Sequence, residues 1–202
     1  MFNLAPHPEG GYFRETMRLG PERETPRGPR SLVTTALYLL VDGEPSRFHR
    51  LWADEFWLFH AGAPAEVIIL PPRDEEAKEG GRGPGEVSPG MAELDIRPLD
   101  IAHPQVHVPA GSWQAARVRS ERLGARDPAD ESGAQNPADK PAAQGLADKS
   151  GALGPINRAR PNWTLVTCVV VPGFDFADFV LADRAALEAQ FPAARALIAA
   201  LT

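Results

Sequence analysis

Residues Gly43 to Gly62 read GEPSRFHRLWADEFWLFHAG, and their spacing, G-x5-H-x-L-x3-E-x6-G, decides the fold. Asp42-Gly43 is a turn signal, after which Ser46 to Trp52 reads as a strand. Glu55 to His60 and Ala65 to Leu70 read as two more, separated by the turn Ala61-Gly62-Ala63-Pro64 and closed by Pro71-Pro72, since proline cannot donate to a sheet ladder. Side chains alternate along a strand, so His49 and Leu51 share one face, and Glu55, Trp57 and Phe59 share a face of the next strand. The result is a pocket wall that is part acid and part aromatic. A His–Glu pair without metal makes a general base, the carboxylate fixing the ring's tautomer and raising its basicity. Alternatively, the same two residues only hold the interior together through a buried hydrogen bond.

Working outward, Leu32 to Val41, LVTTALYLLV, is long, apolar and β-branched, as expected of a central strand covered on both faces. Strand signal returns at Leu94 to Leu99, Gln105 to Val108, Trp113 to Val118 and Trp163 to Val171. Many short strands with regular turns indicate an all-β barrel or sandwich. Residues 73–90 are charged and glycine-rich, the composition of a hairpin loop. Residues 119–161 are rich in Ala, Asp, Pro, Gly and Lys with almost no large apolar side chains, and are expected to be a disordered insertion within a single domain spanning 1–202. Residues 183–202 form a helical tail: Asp183 caps one helix through Gln190, and Pro192 opens a second ending near Leu201. Leu187, Phe191, Ala194, Leu197, Ile198 and Leu201 recur at helical spacing and should pad the outside of the barrel.

The 202 residues carry a net charge of −6, so no overall field draws the chain to nucleic acid or anionic lipid. The run Arg18, Arg23, Arg27, Arg30 is interrupted by Glu22 and Glu24 and reads as a solvated loop. Cys168 is the one cysteine, set in apolar surroundings, which fits a buried inert thiol and a reducing compartment. With no signal-peptide pattern at the N-terminus and no apolar run of membrane-spanning length, the expectation is cytoplasmic and not membrane-bound.

The spacing of the opening stretch is similar to the first signature of the cupin β-barrel family, matched at Gly43, His49, Glu55 and Gly62, with Leu51 where a second histidine is usual. The family's second motif has a counterpart in Val108-Pro109-Ala110-Gly111-Ser112-Trp113-Gln114: the Pro109-x-Gly111 turn is intact, His103 replaces the leading glycine, and Gln114 stands where the third histidine belongs. One histidine, one carboxylate and one amide make a poor set for zinc or iron, so no metal and no cofactor is assigned. Four strings further resemble the cupin subfamily Cupin 5, a domain of unknown function. They are Pro6-His7-Pro8-Glu9-Gly10-Gly11-Tyr12-Phe13-Arg14-Glu15-Thr16, then Phe48-His49-Arg50-Leu51 with Asp54-Glu55 and Trp57, then Val108–Gly111 with Trp113, and finally Val171-Pro172-Gly173-Phe174-Asp175-Phe176-Ala177-Asp178-Phe179. That subfamily's pattern normally reads Phe-His-Arg-Leu, so Leu51 is not peculiar to this chain, whereas Leu58 departs from a frequent histidine. The resemblance implies a double-stranded β-helix (jelly-roll barrel), a two-fold homodimer, and a cavity like that of metal-free sugar-nucleotide epimerases.

Three readings of the pocket follow. In the first, a small polar, anionic, sugar-like ligand undergoes metal-free proton transfer such as epimerisation or isomerisation. His49 is the base, Glu55 its orienter, and Tyr12 or Tyr38 the acid. Arg14, Glu15, Trp57 and Gln114 complete the ligand-binding set. Arg14 enters because alternation groups it with Tyr12 and Thr16, and an arginine facing a pocket pairs with carboxylate or phosphate; the alternative is a rim or interface ion pair. The second reading is a ligand carrier or sensor, and the third a metal-dependent oxygenase or isomerase with an incomplete ligand set. Asp175 and Asp178 read as caps of a turn, and neither His60 nor His107 is assigned as a ligand.

Overall fold

Period-two alternation builds two facing antiparallel sheets. The structure, a computed structural model, describes residues 2–72, 94–119 and 162–202. The expected loop at 73–90 and, after Arg119, the expected insertion lie outside the described residues. In chain order the strands are β1 (Ala5–Pro6), β2 (Tyr12–Leu19), β3 (Arg23–Thr25), β4 (Gly28–Arg30), β5 (Val33–Val41), β6 (Ser46–Leu51), β7 (Asp54–Gly62), β8 (Ala65–Leu70), β9 (Asp95–Leu99), β10 (Gln105–Val108), β11 (Trp113–Val118), β12 (Trp163–Val171) and β13 (Phe179–Leu181). Helices α1 (Arg184–Gln190) and α2 (Arg195–Ala200) end the chain.

One sheet runs β1-β2-β5-β12-β7-β10, the other β13-β6-β11-β8-β9, and β3–β4 form a separate ribbon. From β5 to β8 the chain crosses between the sheets at every turn, which is the winding of a double-stranded β-helix. This is an all-β cupin fold, with two short α-helices among the described residues. Between the sheets lies a core that includes Tyr38, Leu40, Trp57, Val67, Ile69 and Val166. A second core forms outside the five-stranded sheet, where Phe48, Ile68 and Leu70 meet Leu187, Phe191 and Ile198 of the helical tail. Each such fully buried side chain contributes about 1.5–3 kcal/mol. Asp183 caps α1 as expected, its carboxylate accepting from the Ala186 amide at 2.9 Å. Among the described residues no helix is long and apolar enough to cross a membrane.

Strand β5 departs from expectation. Thr34, Tyr38 and Leu40 are buried between the sheets, but Val33, Leu37, Leu39 and Val41 on the other side are only half-buried. The tail covers the opposite sheet, and among the described residues no helix layers onto this one. Leu37, Leu39, Phe56, Leu58, Leu165 and Val169 therefore make an apolar outer face that water still reaches.

Candidate functional site

A cavity opens between the sheets, enclosing about 530 Å³ of atom-free space counted out to its mouth. Glu9, Tyr38, His49, Glu55 and Cys168 line its polar part, and Phe13, Leu51, Val170, Phe174 and Phe179 its apolar part.

Glu9 arrives there by a tight reversal before β2. Gly10 adopts φ +117°, and a Cβ on it would lie 2.3 Å from the Pro45 carbonyl oxygen. Gly11 adopts φ +63°, and its Cβ would meet the Tyr38 hydroxyl at 2.7 Å. Only glycine tolerates this combination of positive φ and close approach. The turn is tied to β6 by the Arg47 amide, which donates to the Glu9 carbonyl at 2.9 Å.

His49 is 2 % exposed, and its Nδ1 lies 2.9 Å from the Arg47 carbonyl oxygen. Its Nε2 faces Glu9 Oε2 at 3.3 Å. The same Glu9 oxygen is 3.2 Å from His7 Nδ1, while Glu9 Oε1 accepts from Ser46 Oγ at 2.8 Å. Burial alone would raise the Glu9 carboxyl, but His49, His7 and the Ser46 hydroxyl together hold it below the usual range.

Glu55 is held from behind. The Trp57 indole donates to Gln114 Oε1 at 3.0 Å, and Gln114 Nε2 donates to Glu55 Oε2 at 2.5 Å. All three are buried. Burial pushes Glu55 up, and the nearby Glu9 charge adds to this; His49 and the Gln114 hydrogen bond offset it only in part. Burial beside the Glu55 carboxylate raises the Cys168 thiol well above the ordinary value, which keeps it an inert thiol.

The mouth is aromatic on one side. His7 packs edge-on to Phe13 at 4.6 Å and stacks on Phe176 at 5.9 Å, while Phe179 stacks on His49 at 5.5 Å. The segment carrying these phenylalanines is pinned by Asp178, whose carboxylate takes Arg30 Nε at 2.7 Å, Arg30 Nη2 at 3.0 Å and Arg27 Nε at 2.8 Å. Two members of the expected solvated basic run are thus structural, because an arginine fork placed against a partly desolvated carboxylate binds it in two places. Asp175 does cap the short turn Phe176–Asp178, accepting from the Ala177 amide, but Asp178 serves the ion pairs instead.

Of the residues singled out from sequence, His49, Glu55, Tyr38 and Glu15 line the cavity. Glu55 is not the carboxylate beside the His49 ring; Glu9 is. The Tyr38 hydroxyl donates to the Gly10 carbonyl at 2.6 Å, so its proton is already engaged, and burial raises the phenol well above its ordinary value. Trp57 and Gln114 do not line the cavity; they support Glu55. Tyr12 and Arg14 pair with Leu39 and Leu37 on the outer face, whereas Phe13 and Glu15 pair with Tyr38 and Ala36 on the inner one. A register shift between Glu15 and Met17 then brings Arg18 opposite Thr34, on the cavity side. Arg18 takes Glu15 in two hydrogen bonds, of 3.0 and 2.6 Å, and reaches Ser31 Oγ and the Phe174 carbonyl, closing the rim. His60 bonds Thr167 Oγ1, and His107 bonds Asp54, both away from this cavity.

Sequence reasoning missed Glu9, His7, Phe13 and Arg18. The signal for the first two was the Gly10-Gly11 pair, which forces a turn directly after His7-Pro8-Glu9.

The donor set does not fit the metal usual in cupins. Leu51 is an apolar wall, both ends of the Gln114 amide are used, and among the described residues no cluster of three His, Cys, Asp or Glu is arranged to hold a metal ion.

A protein of Leishmania major shares 26 % identity over 98 % of this chain and 93 % of its own, with a TM-score of 0.65. A protein of Shewanella oneidensis shares 27 % identity over 100 % of this chain and 92 % of its own, with a TM-score of 0.64. No curated protein matches. Residues 1–182 match the sequence pattern of Cupin_5, described as Cupin superfamily (DUF985), which spans the Glu9 turn, the cavity and the Phe174–Phe179 wall: the chain belongs to that family.

Proposed function

We propose that this chain is a cytoplasmic, homodimeric cupin that binds a small hydroxylated carbonyl compound and moves a proton on it, as in isomerisation or epimerisation. The observation that carries this reading is the juxtaposition of a buried imidazole, His49, and a buried carboxylate, Glu55, on the wall of one cavity. General acid–base groups in such a setting contribute about 10²- to 10⁴-fold to a proton transfer. The ligand is sugar-like rather than polyanionic. Glu9 and Glu55 are acceptors that suit hydroxyl donors, Arg14 lies on the outer face, and Arg18 at the rim is engaged by Glu15. Phe13, Phe174 and Phe179 suit the apolar face of a ring. The homodimer is supported by the apolar outer face of the six-stranded sheet.

The test is solvent exchange. Incubated in D2O with a panel of aldoses, ketoses and hydroxy acids, the protein is expected to wash deuterium into the carbon next to a carbonyl of at least one compound. His49→Gln should slow this by about 10²-fold or more while the fold persists. If the wild type binds a panel member and exchanges none, the chain is a carrier or sensor. A stoichiometric transition metal found by elemental analysis would favour the metal-dependent reading.

A further inference from the structure

We infer that Glu9 keeps a proton on His49, so that His49 serves this site as its acid and Glu55 as its base. The inference rests on the proton-transfer reading above and departs from the sequence pattern, which made His49 the base, Glu55 its orienter and a tyrosine the acid.

The argument is one of proton positions. The Arg47 carbonyl can only accept, so His49 Nδ1, 2.9 Å away, carries a hydrogen. In a neutral ring with that tautomer, Nε2 would be a bare lone pair, and it lies 3.3 Å from Glu9 Oε2. Lone pair against carboxylate is repulsive; a proton on Nε2 makes the contact an ion pair. The Glu9 carboxylate accepts from Ser46 Oγ on one oxygen, which favours its ionised form, while His7 Nδ1, itself accepting from the Glu9 amide at 3.5 Å, lies near the other. Arg47 fixes the two partners relative to each other, because its amide bonds the Glu9 carbonyl while its carbonyl faces His49.

The groups that face His49 come from every side. Glu9 and His7 come from the segment before β2, Tyr38 from β5, Glu55 from β7 and Cys168 from β12, while the Phe179 ring stacks on it from β13. Tyr38 and Cys168 are neutral at ordinary pH, since burial raises both. Of the remaining carboxylates on the cavity, Glu15 is taken up by Arg18 at the rim, while burial together with the Glu9 charge raises the affinity of Glu55 for a proton. A protonated imidazole can only donate and an ionised carboxylate can only accept, so the two groups divide the roles of acid and base.

The chemistry then balances. The Glu55 carboxylate takes the proton from the ligand carbon next to the carbonyl. The freed electron pair forms the carbon–carbon double bond, and the carbonyl π pair moves to oxygen, which takes the Nε2 proton of His49 to give an enediol. Glu55 returns its proton to either carbon, and His49 recovers its own from a hydroxyl. Glu9 stays a carboxylate throughout.

Side-chain ¹⁵N NMR of His49 in the ligand-free protein tests this directly, the signal being assigned by its absence in His49→Gln. At pH 7 the wild type is expected to show both ring nitrogens protonated. Glu9→Gln should lose the Nε2 proton at that pH, and Glu9→Asp, which keeps the carboxylate, should retain it. A neutral His49 ring in the wild type overturns the inference, and so does an imidazolium that survives unchanged in Glu9→Gln. If Glu9→Gln does not fold, the wild-type spectrum and Glu9→Asp decide it. No substrate is needed, so a charged His49 in a protein that exchanges no deuterium would sink the functional reading and leave the protonation result standing.

Discussion

Replacing Gln114 by leucine should be costly, and the cost should depend on pH in a definite direction. The amide is the middle of a buried relay, Trp57 Nε1 to Gln114 Oε1 at 3.0 Å and Gln114 Nε2 to Glu55 Oε2 at 2.5 Å. Leucine fills most of the volume but orphans an indole N–H and a carboxylate oxygen, both inside the barrel. Each unsatisfied buried group costs about 1–3 kcal/mol, so the loss should be about 2–6 kcal/mol at neutral pH. In thermal terms that is several degrees, since about 1 kcal/mol moves a domain of this size by roughly 2–4 °C. The Glu55 carboxyl is already raised by burial, and the Gln114 hydrogen bond is one of the groups that lower it; without that bond it rises further. A carboxyl raised in the folded state favours folding when protonated, and that contribution is lost as pH rises through its folded value. The destabilisation should therefore be larger at pH 8 than at pH 5. Urea melts of Gln114→Leu and wild type at both pH values, compared at constant m, would show it. A loss below about 1 kcal/mol with no pH dependence would refute the relay and return Gln114 to a packing role.

Two further expectations are shorter. Asp178→Asn should destabilise the fold by about 3 kcal/mol at neutral pH by leaving the Arg30 guanidinium desolvated and half-paired. Burial would raise the Asp178 carboxyl, but Arg30 and Arg27 hold it below its usual range, so its contribution is present above the unfolded value and lost as pH falls through the folded one; thermal melts of wild type and variant should converge as the pH is lowered below the usual carboxylate range. Sedimentation equilibrium at micromolar concentration should give about twice the 21.8 kDa of one chain, and Leu39→Glu on the outer face should reduce it to one; a wild-type monomer would count decisively against the dimer.

Strand positions, the barrel and the helical padding were legible because they are written in local periodicity. The pocket pair His49 and Glu55 was legible because their spacing fixes which faces they share. What failed was whatever depended on register or on long separation. Counting by twos from Tyr12 puts Arg14 and Thr16 on one face, and that is correct as far as Glu15. It is the shift before Met17 that turns Arg18 inward, and nothing in the side-chain alternation marks it. Arg30 and Asp178 stand 148 residues apart, so a buried ion pair between them leaves no local trace; in sequence Arg30 is only one more charge in a basic loop. Glu9 was quoted within a motif without a role, because its meaning lies in the 3.3 Å contact with a strand forty residues on.

The same geometry accounts for the two positions where the usual cupin histidines are missing. Leu51 leaves an apolar wall beside His49 and Glu55, which lowers the local dielectric and makes an ionised Glu55 costly. Gln114 has no charge of its own, yet its two amide ends lock Trp57 and Glu55 in place, which an imidazole coordinating a metal would not do. Glu9 brings the extra negative charge that a metal would have opposed. It sits against His49 Nε2 and adds its charge to the burial that raises Glu55, so the side chains here are committed to one another rather than waiting for a cation. The substitutions at 51 and 114 and the carboxylate at 9 are therefore one arrangement. Restoring histidine at 51 and 114 while Glu9 remains would set imidazoles against a relay built for an amide, and the pair of changes is expected to weaken the fold before it recruits a metal.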